Sequence, residues 1–181
     1  MTISHLDERK QTMMILDVGC GSRPKGDVNL DLNLGQSTHH RFEYDIKTFK
    51  NFIQGSASDL PFRDKIFHTI FSAHCLEHVP VPLEAIREYK RVSHGRVILL
   101  VPNNPVLEDD ETHLYAWSLV SFENFLKLVF DDVKVIAYSS QPQILGSRFV
   151  RKLMKIAVFK KYFSRIISRK LGIELRAICY I

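Results

Sequence analysis

The most constraining feature of this chain is the run MILDVGCGS at residues 14–22, an apolar stretch that ends in an acid and two glycines. A short apolar run bounded by turn residues is typical of a fully buried strand. Gly19 and Gly21 suit the turn that follows, because glycine adopts a positive φ and lets a ligand approach the backbone without a Cβ in the way. The run therefore predicts a buried strand that leads into a tight, ligand-cradling turn.

A second acid, Asp31, lies in a second short apolar run, VNLDL at residues 28–32. Its carboxylate can accept two hydrogen bonds from a ribose diol. A glycine turn followed by an acid-ended strand is the general pattern of nucleoside binding on an open α/β sheet. The pattern alone is equally consistent with an ordinary strand and turn, but an acid at the end of a buried strand needs a partner, which favours a ligand role for Asp31.

Three further motifs follow in order: SASDLPF at residues 56–62, LEHV at residues 76–79 and REYKRV at residues 87–92. Together with LDVGCG at residues 16–21, they resemble the class I S-adenosylmethionine-dependent methyltransferases of the small, type-11-like kind. The resemblance covers about residues 13–140, and the ordered set is more specific than any single motif. It implies a transferase that carries out methylation with S-adenosylmethionine as the donor.

The resemblance and the strand pattern predict one methyltransferase domain over residues 1–181. The expected α/β fold is a Rossmann-like, doubly wound and mostly parallel seven-stranded sheet with an antiparallel last strand. The expected strands cover residues 13–18, 28–32, 51–54, 66–72, 96–101, 133–138 and 173–181. One helix should begin at Pro82, and Ser121 should cap another that runs through Phe130.

The first crossover departs from the family pattern. Only Ser22–Asp27 lie between Gly21 and the second strand, whereas a parallel crossover normally takes a dozen or more residues. Arg23 also stands where a third glycine often occurs in the family. We therefore expect the first crossover helix to be reduced or absent. The sheet face that it normally covers should be bare, and we predict an apolar patch there that mediates contacts, for example in a homo-oligomer.

Positive charge is concentrated near the carboxyl end. Ten Lys or Arg lie between Arg148 and Arg176 with a single acid, although the whole chain carries a net charge of only +5. Residues 147–172 mix these with Phe and Ile at near-helical spacing, which predicts a basic helical insertion before the last strand. Three interpretations stay open: a helix packed on the bare face, docking on an acidic membrane surface, and phosphate contacts with RNA.

Composition points to a cytoplasmic protein. No apolar run approaches the ~20 residues that span a bilayer. The cysteines, Cys20, Cys75 and Cys179, lie far apart without a C-x-x-C pair, which argues against a disulfide framework or a structural zinc site.

The resemblance implies a cofactor site outside the carboxyl ends of the parallel strands. Asp17 and the two glycines would line the methionine end, Asp31 would hold the ribose, and the turn at residues 56–57 would face the adenine. Many relatives carry an acid where Ser56 stands; Asp59 is a substitute, and plain turn formation explains either residue equally well. The predicted cofactor-binding residues are Asp17, Gly19, Cys20, Gly21, Asp31, Ser56, Ala57, Asp59 and His74.

Methyl transfer from a sulfonium is an in-line displacement, so the protein supplies alignment and, for a hydroxyl acceptor, a base. The candidates for catalytic work are His74, His78 and His113. If a helix begins near residue 74, the i, i+3, i+4 spacing places His74, Glu77 and His78 on one face. No metal is required by the reaction.

With His113, those residues are nevertheless ligand types for a divalent metal. The set is similar to that of small-RNA 3′-terminal 2′-O-methyltransferases, with His74 in place of an acid. The other interpretation is that the LEH motif only caps and packs the loop, as in many methyltransferases without a metal.

We therefore predict a methyltransferase that acts on a small-molecule acceptor. An RNA- or protein-directed enzyme that docks through residues 148–176 is the first alternative. A nonenzymatic S-adenosylmethionine-binding module or subunit is the second. The short first crossover and the missing third glycine favour that module, whereas the retained acids and glycines of the first two strands argue against it.

Overall fold

The computed structural model describes residues 13–33, 46–103, 112–138 and 174–181. Seven strands form one sheet: β1 (Ile15–Val18), β2 (Val28–Asp31), β3 (Phe52–Gln54), β4 (Phe67–Ala73), β5 (Ser93–Pro102), β6 (Asp132–Tyr138) and β7 (Glu174–Tyr180). The α-helices of the described ranges are α1 (Pro82–Val92) and α2 (Leu119–Leu126), and short 3₁₀-helices cover Ile46–Thr48 and Leu76–His78.

The strand order is β3-β2-β1-β4-β5-β7-β6. β1 to β5 are mutually parallel, and β7 lies antiparallel between β5 and β6. This confirms the predicted Rossmann-like sheet with an antiparallel last strand. The direction of the strand order reverses between β1 and β4, so a crevice forms at the carboxyl ends of these strands.

Both α-helices pack on one face of the sheet. α1 begins with Pro82 in its first turn and buries Ala85, Ile86, Tyr89 and Val92, the spacing of a single apolar stripe. α2 contributes its own buried residues to the same apolar core, and the strands contribute alternate side chains. This layer holds β1 and β4 firmly in place beneath the crevice.

Two helix predictions were wrong at their starts. Ser118, not Ser121, caps α2: Ser121 N–H donates to Ser118 Oγ (3.2 Å) and Ser118 N–H donates to Ser121 Oγ (2.9 Å), a reciprocal capping box. The helix expected from residue 74 is only the 3₁₀-helix Leu76–His78. Pro80 and Pro82 explain this limit, because proline lacks an N–H and disfavours the α conformation of the residue before it.

The first crossover contains no helix, as predicted, and every residue from Gly19 to Asp27 is described. The connection turns back along the sheet instead. Lys25 N–H donates to Asp17 Oδ2 (2.8 Å), and the Lys25 ammonium lies 4.8 Å from the centre of the Phe71 ring. The connection therefore covers part of the face from which the helix is missing.

The outer part of that face, on β6 and β7, mixes apolar and charged side chains: Lys134 lies over the Tyr180 ring and Arg176 over the Tyr138 ring. Within the four described ranges no helix packs on it, and Ile136, Tyr138 and Tyr180 are exposed there. A contact between copies of the chain at this face stays a prediction. The predicted basic insertion, residues 147–172, lies outside the described residues. Neither α1 nor α2 has the length and apolarity to cross a membrane.

Candidate functional site

A cleft of about 670 Å³ opens at the carboxyl ends of β1, β2 and β4. The predicted site residues that line it are Asp17, Gly19, Cys20, Gly21, Asp31, Ser56, Ala57, His74, His78 and His113. Asp59 is not among the lining residues; its N–H donates to the Ser56 carbonyl (3.3 Å) and closes the turn after β3. The cleft thus brings together residues from both halves of the sheet.

The glycine turn after β1 is shaped by packing as well as by backbone conformation. Gly19 and Gly21 have φ of +71° and +53°. A Cβ on Gly19 would lie 2.5 Å from Cys75 Sγ, which is far inside contact distance. Gly19 N–H also donates to the Leu30 carbonyl (2.8 Å), so the turn is pressed between β2 and the segment after β4. Only glycine meets both requirements at position 19.

Asp31 ends β2 and is almost fully buried. Its Oδ2 accepts a hydrogen bond from Gly21 N–H (2.8 Å), and its Oδ1 accepts one from Asn33 N–H (2.9 Å). A carboxylate has about four acceptor positions, so each oxygen keeps capacity for a further donor. Asp31 is therefore held in place by the chain and still able to bind a ligand.

Asp17 is the last residue but one of β1 and lies on the same rim, with 2% of its surface exposed. Burial raises the pKa of Asp17 to about 6, the nearby Asp31 charge raises it further, and Lys25 opposes the rise through its backbone N–H and its charge. We call Asp17, Gly19, Gly21 and Asp31 the carboxylate end of the cleft. A cation bound there would relieve the cost of keeping Asp17 ionised.

Two cationic residues that were not predicted as site residues also line this end. Arg23 and Lys25 both come from the helix-free connection between β1 and β2. The sequence indicates this position for both residues, because a connection without room for a helix must lie close to the strand ends. They give the carboxylate end a place for an anionic group next to its acids.

His74 follows β4 with φ of +53°, a conformation that residues other than glycine rarely adopt. Its Nε2 lies 3.0 Å from Glu174 Oε2 and its Nδ1 lies 3.5 Å from Glu77 Oε1. The pKa of His74 is raised, first by Glu77 and then by Glu174, against the effect of burial. Glu174 is a hundred residues away in the chain, and no local sequence pattern predicts this contact.

Glu77, His78 and His113 form what we call the histidine end of the cleft. Each offers one ligand atom, and these atoms all lie within 4.8 Å of one another. The rings of His78 and His113 meet edge to face with their centres 4.9 Å apart, and His78 Nδ1 lies 3.0 Å from the Thr112 carbonyl oxygen. His74, which the sequence analysis placed in the same set, is not part of this group.

The comparisons with known proteins agree with this geometry. Residues 16–101 match a family model described as a methyltransferase domain. No curated protein matches the sequence.

Several solved structures share the fold. An S-adenosylmethionine-dependent methyltransferase from Archaeoglobus fulgidus is 17% identical with a TM-score of 0.61, and the alignment covers 98% of this chain and 90% of that one. A protein assigned as a methyltransferase, from a Haloferax volcanii complex with the Trm112 methyltransferase activator, is 15% identical with a TM-score of 0.62 (94% and 82% covered). The [4+2]-cyclase SpnF is 18% identical with a TM-score of 0.57 (94% and 76% covered).

At 15–18% identity, similarity to the solved structures shows the fold. The family match indicates the type of domain for residues 16–101. The motifs, the strand order, Asp17 near the end of β1 and Asp31 at the end of β2 all belong to the same pattern. The family match over residues 16–101 and the fold shared with the solved structures are both consistent with a methyltransferase of the class I S-adenosylmethionine-dependent type.

Proposed function

We propose that this protein transfers a methyl group from S-adenosylmethionine to a small-molecule acceptor. The observation that carries the proposal is the convergence of Asp17, Asp31 and the glycine turn on a cleft that also contains the histidine end. A volume of about 670 Å³ lies within the range of pockets that enclose a cofactor-sized ligand.

The residues of the carboxylate end suit the chemical groups of this cofactor. Asp31 keeps acceptor capacity for a ribose diol after its two backbone hydrogen bonds. The raised pKa of Asp17 marks a buried carboxylate with little compensating charge, and an ammonium group would supply that charge. Arg23 and Lys25 suit a carboxylate. Ser56 and Ala57 line the part of the cleft near β3, where we place the adenine.

Bound S-adenosylmethionine supplies an electrophilic methyl group on a sulfonium. The protein must then align the acceptor and remove its proton. His78 is suited to accept it: the Thr112 carbonyl can only accept a hydrogen bond, so His78 Nδ1 carries a proton and a neutral ring keeps its lone pair on Nε2. His113 is the second candidate base.

We assign a different role to His74. Glu77 and Glu174 raise the pKa of His74, which favours the protonated ring, and the contacts of both ring nitrogens with these carboxylates give it a positioning role. A divalent ion held by residues of the set His74, Glu77, His78 and His113 is the alternative use of this end of the cleft, in which the histidines that bind the ion would not act as bases.

Calorimetric titration with S-adenosylmethionine and with its demethylated product tests the cofactor site. We expect Asp31→Ala to weaken both by at least about 100-fold, because two charge-assisted hydrogen bonds are lost. Asp59→Ala is the matched control: the same truncation, but of an acid outside the lining of the cleft, with affinity expected to change less than about threefold. Equal binding by the Asp31 variant and the parent protein would contradict the assignment.

Incubation of cell extract with a labelled methyl donor tests the acceptor class. Label in the low-molecular-weight fraction is the expected result. Label in RNA or protein would favour the macromolecule-directed alternative and direct attention to the basic residues 148–176. Tight cofactor binding without label in any fraction would favour a nonenzymatic module.

A further inference from the structure

We propose that Glu88 and Arg91 of α1 hold the loop after β3 in the shape that binds the adenine of the cofactor. We call these two residues the α1 pair. The first part of the loop, residues 55–58, lines the cleft, whereas neither member of the pair does. Arg91 is therefore a positioning residue, which acts on the cofactor through the loop. The inference rests on the proposed function, because it takes this part of the cleft as the adenine site.

The guanidinium of Arg91 has an acceptor for each of its N–H groups. Nη1 donates to the Phe62 carbonyl (2.7 Å) and to Asp64 Oδ1 (2.8 Å). Nη2 donates to the Leu60 carbonyl (3.0 Å) and to Glu88 Oε2 (2.7 Å), and Nε donates to Glu88 Oε1 (2.7 Å). The Arg91 side chain thus bonds to Leu60, Phe62 and Asp64 of the loop and is itself held in place by Glu88.

Glu88 bonds to the same part of the loop through its carboxylate. Its Oε2 accepts the Leu60 N–H (2.8 Å), so both backbone groups of Leu60 are bonded to the α1 pair. Arg91 is the main cause of a lowered pKa for Glu88, so this carboxylate is ionised at neutral pH. The backbone adds a bond from Lys65 N–H to the Arg91 carbonyl (2.9 Å). The second half of the loop is therefore fixed to α1, which itself packs on the sheet.

The first half of the loop is fixed to the sheet. Gly55 N–H donates to the Asp31 carbonyl (3.0 Å), and Asp59 N–H donates to the Ser56 carbonyl (3.3 Å). Residues 56–58 thus lie between two anchors, with β2 on one side and the α1 pair on the other. A binding surface that is ordered before its ligand arrives loses less entropy on binding, which raises the affinity.

The same contacts link two of the sequence motifs. The bonded carbonyls belong to SASDLPF at residues 56–62, and the α1 pair belongs to REYKRV at residues 87–92. The first motif contributes to a wall of the cleft, whereas the second gives no residue to the lining. The role of the second motif is therefore to support the first.

The α1 pair sets the shape of the loop, and apolar contacts keep the loop attached to the protein. Leu60 is 3% exposed in the core, and the Phe62 ring packs edge to face on Phe67 with the ring centres 4.9 Å apart. We therefore expect a change in the pair to shift residues 56–58 and alter the binding of the base without unfolding the domain. Arg91→Lys is such a change, because lysine is a flexible point charge and cannot reproduce the planar fork.

The test is a calorimetric titration of the full-length protein with S-adenosylhomocysteine and with its inosine analogue. In the analogue, an N–H replaces a ring nitrogen that accepts a hydrogen bond in adenine, so a backbone N–H placed for adenine meets another donor. The parent protein should therefore prefer the adenosine ligand. Arg91→Lys should weaken S-adenosylhomocysteine by about tenfold and lower the preference by about fivefold, because a shifted loop discriminates less between the bases.

Two further variants control the measurement, and thermal midpoints show that each is folded at the temperature of the titration. Arg87→Lys is the same substitution at an exposed position of the same helix, and it should leave affinity and preference within about 1.5-fold of the parent values. Glu88→Gln keeps the shape of the α1 pair and removes one charge, so it should fold. Its preference should fall by about threefold.

The proposal is overturned if the parent protein does not distinguish the two ligands, if affinity falls without a change in preference, or if Arg87→Lys shows the same fall. It is also overturned if Arg91→Lys or Glu88→Gln binds both ligands like the parent, and Glu88→Gln decides alone should Arg91→Lys not fold. Failure of the parent protein to bind S-adenosylhomocysteine would overturn the proposed function together with this inference. Normal binding by the parent with unchanged variants would overturn this inference alone.

Discussion

The carboxylate end and the histidine end of the cleft both contain buried acids, but the acids are balanced differently. Asp17 and Asp31 together accept three backbone N–H groups, from Gly21, Lys25 and Asn33. Glu77, which is buried to the same extent, accepts none from the described residues. Backbone hydrogen bonds offset part of the cost of burying Asp17 and Asp31, whereas Glu77 has only the charge contact with His74 Nδ1, at 3.5 Å. The backbone therefore fixes the acids of the first end, and a side chain balances the acid of the second.

The largest expected effect on stability comes from a substitution at Gly19, where the two ends of the cleft are in contact. Gly19 belongs to the carboxylate end and packs on Cys75, the residue just before the 3₁₀-helix of the histidine end. Gly19→Ala forces a Cβ to within 2.5 Å of Cys75 Sγ and also places alanine at φ of +71°. We expect the free energy of unfolding to fall by about 3–4 kcal/mol in urea denaturation, from overpacking and backbone strain together.

The control is Gly21→Ala, at φ of +53° but on the lining of the cleft. It should cost only about 1 kcal/mol, the usual penalty for alanine in the left-handed region. Equal losses for the two variants would mean that the contact between the two ends contributes nothing.

The next largest effect is the pH dependence of stability that Asp17 causes. Because the folded-state pKa is raised from 3.8 to about 6, the folded protein holds this proton more tightly than the unfolded chain. The contribution of Asp17 to stability is therefore greatest below pH 4, is lost as the pH rises towards 6, and stays constant above it. The loss amounts to about 2–3 kcal/mol.

Comparison with Asp17→Asn isolates this contribution, because the amide oxygen can still accept the Lys25 N–H. The stability of the variant, measured by denaturation between pH 4 and 7, should fall less steeply with pH than that of the parent protein. Parallel curves would show that Asp17 is balanced like Asp31 and that the carboxylate end carries no unmet charge.

Replacing an acid at each end by its isosteric amide tests the comparison directly. The two substitutions should change the stability in opposite directions. Asp31→Asn replaces an acceptor of two backbone hydrogen bonds by a group with one acceptor oxygen, so stability should fall by about 1–2 kcal/mol. Glu77→Gln removes a buried charge that accepts no hydrogen bond from the described residues and has only the charge contact with His74, so the protein should become more stable by about 1 kcal/mol. Denaturation of the two variants side by side measures both, and loss of stability in each would remove the distinction between the two ends.

The sheet could be read from the sequence because it depends on local patterns. The apolar runs at β1, β4 and β5 predict strands whose ends differ from the structure by no more than three residues. The missing crossover helix followed from chain length alone, since six residues cannot form a helix and also span a crossover. Most of the carboxylate end followed in turn, because parallel strands bring their carboxyl ends to one edge.

The histidine end could be predicted only in part, for two reasons. Pro80 and Pro82 make a regular helix from residue 74 unfavourable, and both are evident in the sequence. The prediction that His74, Glu77 and His78 share one helix face was wrong for this reason. The contact of His74 with Glu174 joins β4 to β7 across most of the chain, and no local pattern encodes it. The lack of hydrogen bonds to the Glu77 carboxylate likewise depends on which donors the tertiary fold leaves out of reach.

The smallest effect is expected at Lys25, whose positive charge lowers the pKa of Asp17. Lys25→Met keeps the backbone N–H that bonds to Asp17 and most of the cover over Phe71, but it removes the ammonium 4.8 Å from the ring centre. We expect stability to fall by less than about 1 kcal/mol, the usual strength of a cation–π contact. The pKa of Asp17, followed by NMR of its carboxyl carbon, should rise further, because the charge that lowers it is gone. Lys25→Arg keeps the charge and should leave that pKa near its parent value; a fall in pKa in the methionine variant would show that groups other than Lys25 balance Asp17.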